Sequence, residues 1–566
     1  MNKPLLELWG GHECTVNRVG DRWMDQTVLS GHEHRLGDLE RFAEAGVTSL
    51  RYPVLWERVA PDRPEGRDFR WTDERLGELR RLGVRPIVGL IHHGSGPRYT
   101  HLLHPGFAEG LADHAAAVAE RYPWLDAYTP VNEPLTTARF SALYGHWYPH
   151  ASDEGAFWTA LLNQIDATRL SMRAIRRVNP EARLIQTEDL GETHSTPTLA
   201  YQADYENLRR WATWDLLTGR VTPEHGLFEI LARHGLDDRL RAIADDPCPP
   251  DVIGVNHYLT SERLLDHRLD RYPESTHGGN GRHRYADVEA VRALAGEPAG
   301  WGGLLRQAWE RYRLPIAVTE AHNGSTRDEQ MRWFLEAWRA AEAVRAEGAD
   351  VVAVTAWALL GSHDWCSLLT RAEGRYECGV FDLRHGGPRP TAMVAMLQAL
   401  ARGEEPEHPA LGSPGWWRRD IRLLHPPVGR GSCPPAPRTA PVGVCVLGSD
   451  ALSDMVRAAC LHRGLLLQEA YSPDAPAPWL TLWPHAAGLS AWTSRPEADP
   501  LELFLVEHTP SIIDAALDLA LDGETGQWRV GAHGCQRIDA VVAPSACVHE
   551  RAATKPRPSV GVRRAA

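Results

Sequence analysis

Lysine is almost missing from this chain. Only Lys3 and Lys555 occur among its 61 Lys and Arg residues, so no residue pair that needs a lysine between positions 4 and 554 can be assembled. Paired cysteines are missing as well. The nine Cys are scattered, odd in number and contain no C-x-x-C, which argues against a disulfide framework or a zinc site and leaves free buried thiols as the expectation. An excess of positive charge is also lacking. A net charge of −13 argues against a nucleic-acid partner, which would require clustered cationic surface. No apolar run approaches the roughly 20 residues of a membrane span. The start, "MNKPLLELWGG", enters a strand-like run at once without the basic-then-apolar layout of a signal peptide, so a cytoplasmic location is expected. What remains is an ordinary globular composition, 43% hydrophobic and 24% charged. At 566 residues it is too long for one core, so two domains, or one large domain with an appendage, are expected.

Up to about residue 400 short β-rich runs alternate with amphipathic stretches. The runs are "LLELWGG" (5–11), "VTSLRYPV" (47–54), "RPIVGLIHH" (85–93), "AYTPVNEP" (127–134), "RLIQTEDL" (183–190), "VIGVNHY" (252–258), "PIAVTE" (315–320) and "VVAVTAWALL" (351–360). Strand–helix alternation with near-continuous apolar strands means parallel strands covered on both faces. Eight such units predict an α/β fold, a (β/α)8 barrel over 1–408. In such barrels the chemistry sits at the C-terminal ends of the strands. The runs here end on His12 and Glu13, Arg51, His92 and His93, Asn132 and Glu133, Glu188, Asn256 and Tyr258, Glu320, and Trp357. Eight strands turning polar at the same end predict one shared pocket.

Two carboxylates at the ends of non-adjacent barrel strands match the needs of glycosidic bond cleavage. One protonates the departing oxygen while the other attacks the anomeric carbon or activates water. Glu133 and Glu320 are the candidates, with an expected separation of about 5–5.5 Å for a retaining enzyme. Arg51 and the Tyr258 hydroxyl are expected to keep Glu320 ionised, and that charge to keep Glu133 protonated. Trp357 and Trp365 offer faces for sugar stacking, and Asn132 a donor. A metal cluster at His12, Glu13, His92 and His93 fits no ligand spacing, so no metal and no cofactor are expected. Glu188 and Glu192 read as solvated loop carboxylates.

These residues resemble the retaining β-glycosidases of glycoside hydrolase family 1 over about residues 5–400. "TPVNEP" is similar to that family's acid/base motif, implying acid/base Glu133 beside Asn132, and "IAVTEAHNG" resembles its nucleophile motif, implying Glu320. "LRYPVLWERVAP" resembles the segment carrying the nucleophile's arginine, here Arg51. "GVNHY" matches Asn256 and Tyr258, and "HHGSGP" matches His93. "WALLGSHDW" places Trp357, Asp364 and Trp365 at sugar-contacting positions. The departures fall on the sugar-contacting shell. Ala321 and His322 are inserted before "NG", Asn17 stands where the family has Gln, and Asp364 replaces a Glu. The resemblance implies a small-molecule glycoside substrate with altered sugar specificity. Transglycosylation competes with hydrolysis for the same intermediate, and a pocket that binds sugar without turnover is the alternative.

Beyond residue 408 the texture changes. Residues 409–440 are rich in Pro, Gly and Arg and read as a linker. Residues 441–545 promise one strand and helix early and a further helix and strand late, and residues 546–566 a disordered tail. "VGVCVLGSDALSDMVRAACLHRGL" faintly resembles the first unit of dTDP-4-dehydrorhamnose reductases, implying a small degenerate Rossmann-like appendage. The glycines that bring backbone to a pyrophosphate are reduced to Gly448, Asp450 would repel phosphate, and the Tyr-x-x-x-Lys pair has no lysine. NDP-sugar reduction is therefore the weaker alternative function.

Overall fold

A computed structural model describes residues 6–425, Val428, and the stretches 443–462, 465–468, 479–493, 501–506, 508, 510–521, 526–531 and 534–537. The chain forms two compact units, one of Met1–Asp266 and Thr276–Ser432, the other of His267–Ser275 and Cys433–Ala566. The expected tail, 546–566, lies outside the described residues.

In the first unit all eight expected runs become strands: β1 Glu7–Gly11, β2 Ser49–Pro53, β3 Arg85–His92, β4 Ala127–Asn132, β5 Arg183–Asp189, β6 Val252–Asn256, β7 Ile316–Ala321 and β8 Val351–Ala356. They pair in sequence order, all parallel, and β8 closes onto β1 with Trp9 opposite Thr355. This is the (β/α)8 barrel. Amphipathic helices cover it, including α1 Arg70–Leu82, α2 Phe107–Arg121, α3 Glu154–Val178, α4 Gly300–Tyr312 and α5 Arg327–Ala346. Gly83, at φ 72°, ends α1 in the left-handed conformation that glycine adopts without a Cβ clash. The chain then enters β3 two residues later.

Inside the barrel, Trp9, Ile87, Ala127, Ile185, Val252, Ala317 and Ala353 form an apolar plug with one residue from each of seven strands. They lie in the first half of their strands, or at the middle for Trp9, so the polar strand ends stand above an apolar floor. That division places the chemistry at one mouth.

Residues 409–425, read as linker, pack on the barrel instead. Trp417 is buried, meets the Trp333 ring edge-on at 5.1 Å, and donates to Glu336 at 2.8 Å. Two adjacent tryptophans have too much apolar surface to leave in water, and this outweighs the Pro and Gly around them.

The second unit is richer in strands than its sequence pattern promised. β9 Gly443–Val446, α6 Ala451–His462 and β10 Leu466–Gln468 make one parallel βαβ unit. β11 Leu480–His485, β12 Gly488–Thr493, β13 Leu501–Leu505, α7 Pro510–Leu521, β14 Gly526–Gly531 and β15 Gly534–Arg537 complete a seven-stranded sheet of order β10-β9-β11-β12-β13-β14-β15. β11–β12, β12–β13 and β14–β15 run antiparallel. These half-exposed strands alternate too weakly to stand out as runs.

Candidate active site

β7 carries a register shift between Val318 and Glu320 against β6. Such an irregularity re-aims the side chain that follows it, and Glu320 ends the strand pointing inward. Arg51, in the middle of β2, donates through Nη1 to Glu320 Oε1 at 2.7 Å and to the Thr319 carbonyl at 2.8 Å. Its Nη2 donates to Asn132 Oδ1, and the guanidinium lies 4.7 Å from the Trp357 ring centroid. The Tyr258 hydroxyl donates to the other oxygen, Glu320 Oε2. Both nucleophile-candidate oxygens thus have a dedicated donor.

Glu133 sits where β4 gives way to the helical turn Pro134–Ala138. Proline disfavours the right-handed helical region for the residue before it, and Glu133 stands at φ 46°, left-handed. A residue at this position would ordinarily cap the turn with its own side chain. Glu133 does not; the cap comes from Glu188 at the end of β5. Glu188 accepts the amides of Leu135 at 2.8 Å and Thr136 at 3.2 Å, together with the Thr213 hydroxyl at 2.6 Å. It is fully buried, which corrects the expectation of a solvated loop carboxylate. Because Glu188 satisfies those amides, the Glu133 carboxyl is released into the pocket, where Asn256 Nδ2 donates to its Oε1.

Two relays connect the paired carboxylates. Asn256, bonded to Glu133, accepts from Thr319, the neighbour of Glu320, at 2.6 Å. Asn132, the neighbour of Glu133, accepts from Arg51 and from Thr187 at 2.8 Å. Burial pushes both carboxyls upward. At Glu320 the Arg51 guanidinium and the Tyr258 hydroxyl pull back, whereas at Glu133 the charge of Glu320, then Asp189 and Glu188, push further against the Asn256 amide. Glu133 is therefore held further above the ordinary carboxylate range than Glu320.

His93, also left-handed at φ 54°, holds its Nδ1 3.0 Å from the Thr137 hydroxyl and its Nε2 3.2 Å from Asn132 Nδ2. Burial and then Arg51 drive its pKa down to about 3, so the ring is neutral. Trp357 stacks on His92 at 5.3 Å, and its carbonyl lies 3.1 Å from His322 Nδ1. Trp365 meets His93 edge-on at 5.3 Å, and its indole N–H has no protein partner. Asn17 is buried on the hairpin beyond β1 with its amide oxygen unpaired. Asp364 is occupied locally, its two oxygens accepting the Gly374 and Arg375 amides at 3.0 and 2.8 Å. That ties down the loop bearing Trp365.

Besides Glu188, sequence reasoning passed over Trp147, a buried wall 5.5 Å from His93 and 6.1 Å from Trp365. Nothing in "GHWYPH" marks it as facing the pocket. Outside this network, donor atoms of Glu192, His194 and Glu262 lie within 4.8 Å of one another. Glu262 accepts the amides of Ala299 and Gly300 at the start of α4, a cap rather than a ligand set. In the second unit Asp450 accepts the Ser453 amide at 2.8 Å and so occupies the N-terminus of α6, where a dinucleotide would place its pyrophosphate. Among the described residues no helix is long and apolar enough to cross a membrane.

No family profile matches the chain. It is 21% identical over 365 residues to the aryl-phospho-β-D-glucosidase BglA of Bacillus subtilis, covering 57% of this chain and 74% of that protein. It is 25% identical over 378 residues to a 6-phospho-β-glucosidase of Dickeya chrysanthemi, covering 61% and 79%. The fold matches a family 1 β-glucosidase from Thermotoga maritima with a TM-score of 0.57 at 15% identity, covering 71% of this chain and 98% of that one. The barrel part of the chain is thus similar in sequence to named β-glucosidases and phospho-β-glucosidases and shares the fold of a family 1 β-glucosidase. In this barrel Glu133 directly follows the fourth strand and Glu320 is the penultimate residue of the seventh.

Proposed function

We propose that the chain is a retaining β-glycosidase of a small O-glycoside. The carrying observation is the unequal support of two buried carboxyls in one network. Glu320 has Arg51 and Tyr258 on its oxygens, and Glu133 has a single amide plus anionic neighbours. In the first half-reaction Glu320 forms a bond to the anomeric carbon as the glycosidic C–O bond breaks. Glu133 delivers its proton to the departing oxygen. In the second, Glu133 takes a proton from water or from an alcohol acceptor. The oxygen so freed displaces Glu320, giving hydrolysis or transglycosylation. Trp357 and Trp365 supply stacking faces. Asn17, Asn132, His93, Asn256 and His322 supply polar contacts to the hydroxyls, while Asp364 holds the loop that carries Trp365.

Release of nitrophenol from a panel of aryl β-glycosides tests the reading. Glu320→Ala and Glu133→Ala should each lose at least about 100-fold in kcat, and equal rates in all three proteins would end it. A 2-fluoro glycoside should label the peptide that carries Glu320, seen by mass spectrometry.

A further inference from the structure

A carboxylate at the barrel mouth stands outside the network described above. Glu377 lies on the short strand Tyr376–Glu377, which pairs antiparallel with Ser362–His363 just before the Trp365 loop, Glu377 opposite Ser362. Its side chain reaches the rim between the ends of β7 and β8. Past β7, Glu377 Oε2 stands 3.4 Å from His322 Nε2, and a Cβ on Gly324 would lie 2.2 Å from the same oxygen, so the carboxylate fits there only over a glycine. His322 in turn sets its Nδ1 3.1 Å from the Trp357 carbonyl, past β8. A carbonyl only accepts, so Nδ1 carries a hydrogen, and a second hydrogen at Nε2 would face Glu377. Nε2 is buried and has no hydrogen-bond partner, whereas the Glu377 side chain is 22% exposed. Among the described residues the Glu377 oxygens accept no hydrogen bond. Asp364, at the position the family resemblance assigns to sugar contact, is the reverse case. It is buried, and both its oxygens are taken by the Gly374 and Arg375 amides. One acid of this hairpin is consumed by its own loop; the other keeps its acceptor capacity.

We infer that Glu377, with His322 against it, selects the sugar by accepting a hydrogen bond from one of its hydroxyls, in place of Asp364. This rests on the glycosidase reading for the place of the sugar, and goes beyond it in naming a specificity-determining acid. The contacts support that place. His322 follows Glu320 by two residues, and it meets both the Glu377 carboxylate and the carbonyl of Trp357, the proposed stacking face. The insertion of Ala321 and His322 then has a physical use, since it supplies the ring that backs the acid. A hydroxyl donating to a carboxylate makes a charge-assisted bond, and an analogue without that hydroxyl leaves the acid unpaired once the sugar has excluded water.

The full-length protein would be given the best nitrophenyl β-glycoside of the panel above, together with the analogues that lack each hydroxyl other than the one at C2. The quantity read is the ratio of kcat/KM, parent over analogue. In the wild type at least one ratio should reach about 10–100, as when a charged group loses its hydrogen-bond partner. Glu377→Ala should lower that ratio by about 10-fold and leave the others within about 2-fold. Because both substrates are read in the same variant, partial misfolding and the intrinsic reactivity of the analogue cancel. Asp364→Asn should slow all substrates alike and leave every ratio in place. No deoxy penalty in the wild type, a penalty that survives Glu377→Ala, or the same ratio collapsing in Asp364→Asn would overturn the inference. If the wild type hydrolyses no glycoside of the panel, the glycosidase reading fails separately. Calorimetric binding of methyl β-glucoside and its deoxy analogues then decides. A deoxy penalty in affinity that Glu377→Ala removes supports the inference, and equal or absent binding overturns it.

Discussion

At the scale of single residues, the informative contrast is between carboxylates of one chemistry in four settings. Glu320 accepts from Arg51 and Tyr258, Glu133 is pushed further above the ordinary carboxylate range, Glu13 is buried on the Thr15 amide, and Glu188 caps the turn that presents Glu133. Glu188 therefore acts as a positioning residue in two ways, through geometry and through charge, and the two separate experimentally. Glu188→Gln leaves one of the Leu135 and Thr136 amides poorly satisfied and should lower kcat by about 10–100-fold. It should also move the alkaline limb of the pH–rate profile to lower pH, because a negative neighbour that raises the Glu133 pKa is gone. A fall in rate with an unmoved limb would leave only the structural role. Glu57 offers a second pH-dependent case away from the paired acids. It is buried, accepts the Gly96 amide through Oε1 at 3.1 Å, and has an unpaired Oε2. Burial raises its pKa from 4.5 to about 7. Its contribution to stability is thus complete below pH 4.5, where both folded and unfolded forms hold the proton, and is lost as pH rises to 7. The loss is of the order of 3 kcal/mol. Denaturant titrations at pH 5 and pH 8 should show a smaller drop for Glu57→Gln than for the wild type by about that amount.

At the scale of elements, the strand ends do the positioning. β7 uses a register shift to turn Glu320 inward, and Glu133 stands left-handed just past β4, where the cap from Glu188 leaves its side chain free. β1 uses Gly11 to let the Trp357 ring lie against its backbone. Gly11→Ala would place a methyl group inside that ring, so Trp357 must move off Arg51 and His92. Activity on aryl glycosides should fall at least 10-fold, with a loss of stability of about 1–3 kcal/mol from overpacking, readable by thermal unfolding. The eight strands were legible because each is a long apolar run bounded by a helix pattern, and the barrel leaves its strands no exposed face. The strands of the second unit were less legible, since their pairs run antiparallel with one face partly open, as at Trp483 and Phe504, and short alternating segments resemble loops.

At the scale of the molecule, the two units have separate hydrophobic cores that share no residue. One packs barrel against helices; the other centres on Val444, Val456, Leu482 and Leu517. Cores without common members unfold independently unless their contact couples them. Scanning calorimetry of the full chain should therefore resolve two transitions. A single transition whose calorimetric and van't Hoff enthalpies agree would show that the units are coupled. The barrel unit extends past its compositional boundary because Trp416 and Trp417 require burial, and burial rather than proline content sets where a domain stops.

Composition and order along the chain determined the barrel and its polar mouth, and picked out Glu133, Glu320, Arg51 and Tyr258 as the candidates. Hydrophobic period, strand spacing and motif residues are all local properties, readable one segment at a time. Which of the two carboxyls is pushed up further, and why Glu188 caps a turn 53 positions away, were decided only when the strands closed. Those outcomes depend on burial and on distances between side chains remote in sequence. Desolvation and Coulomb energy act through space and leave no pattern along the chain.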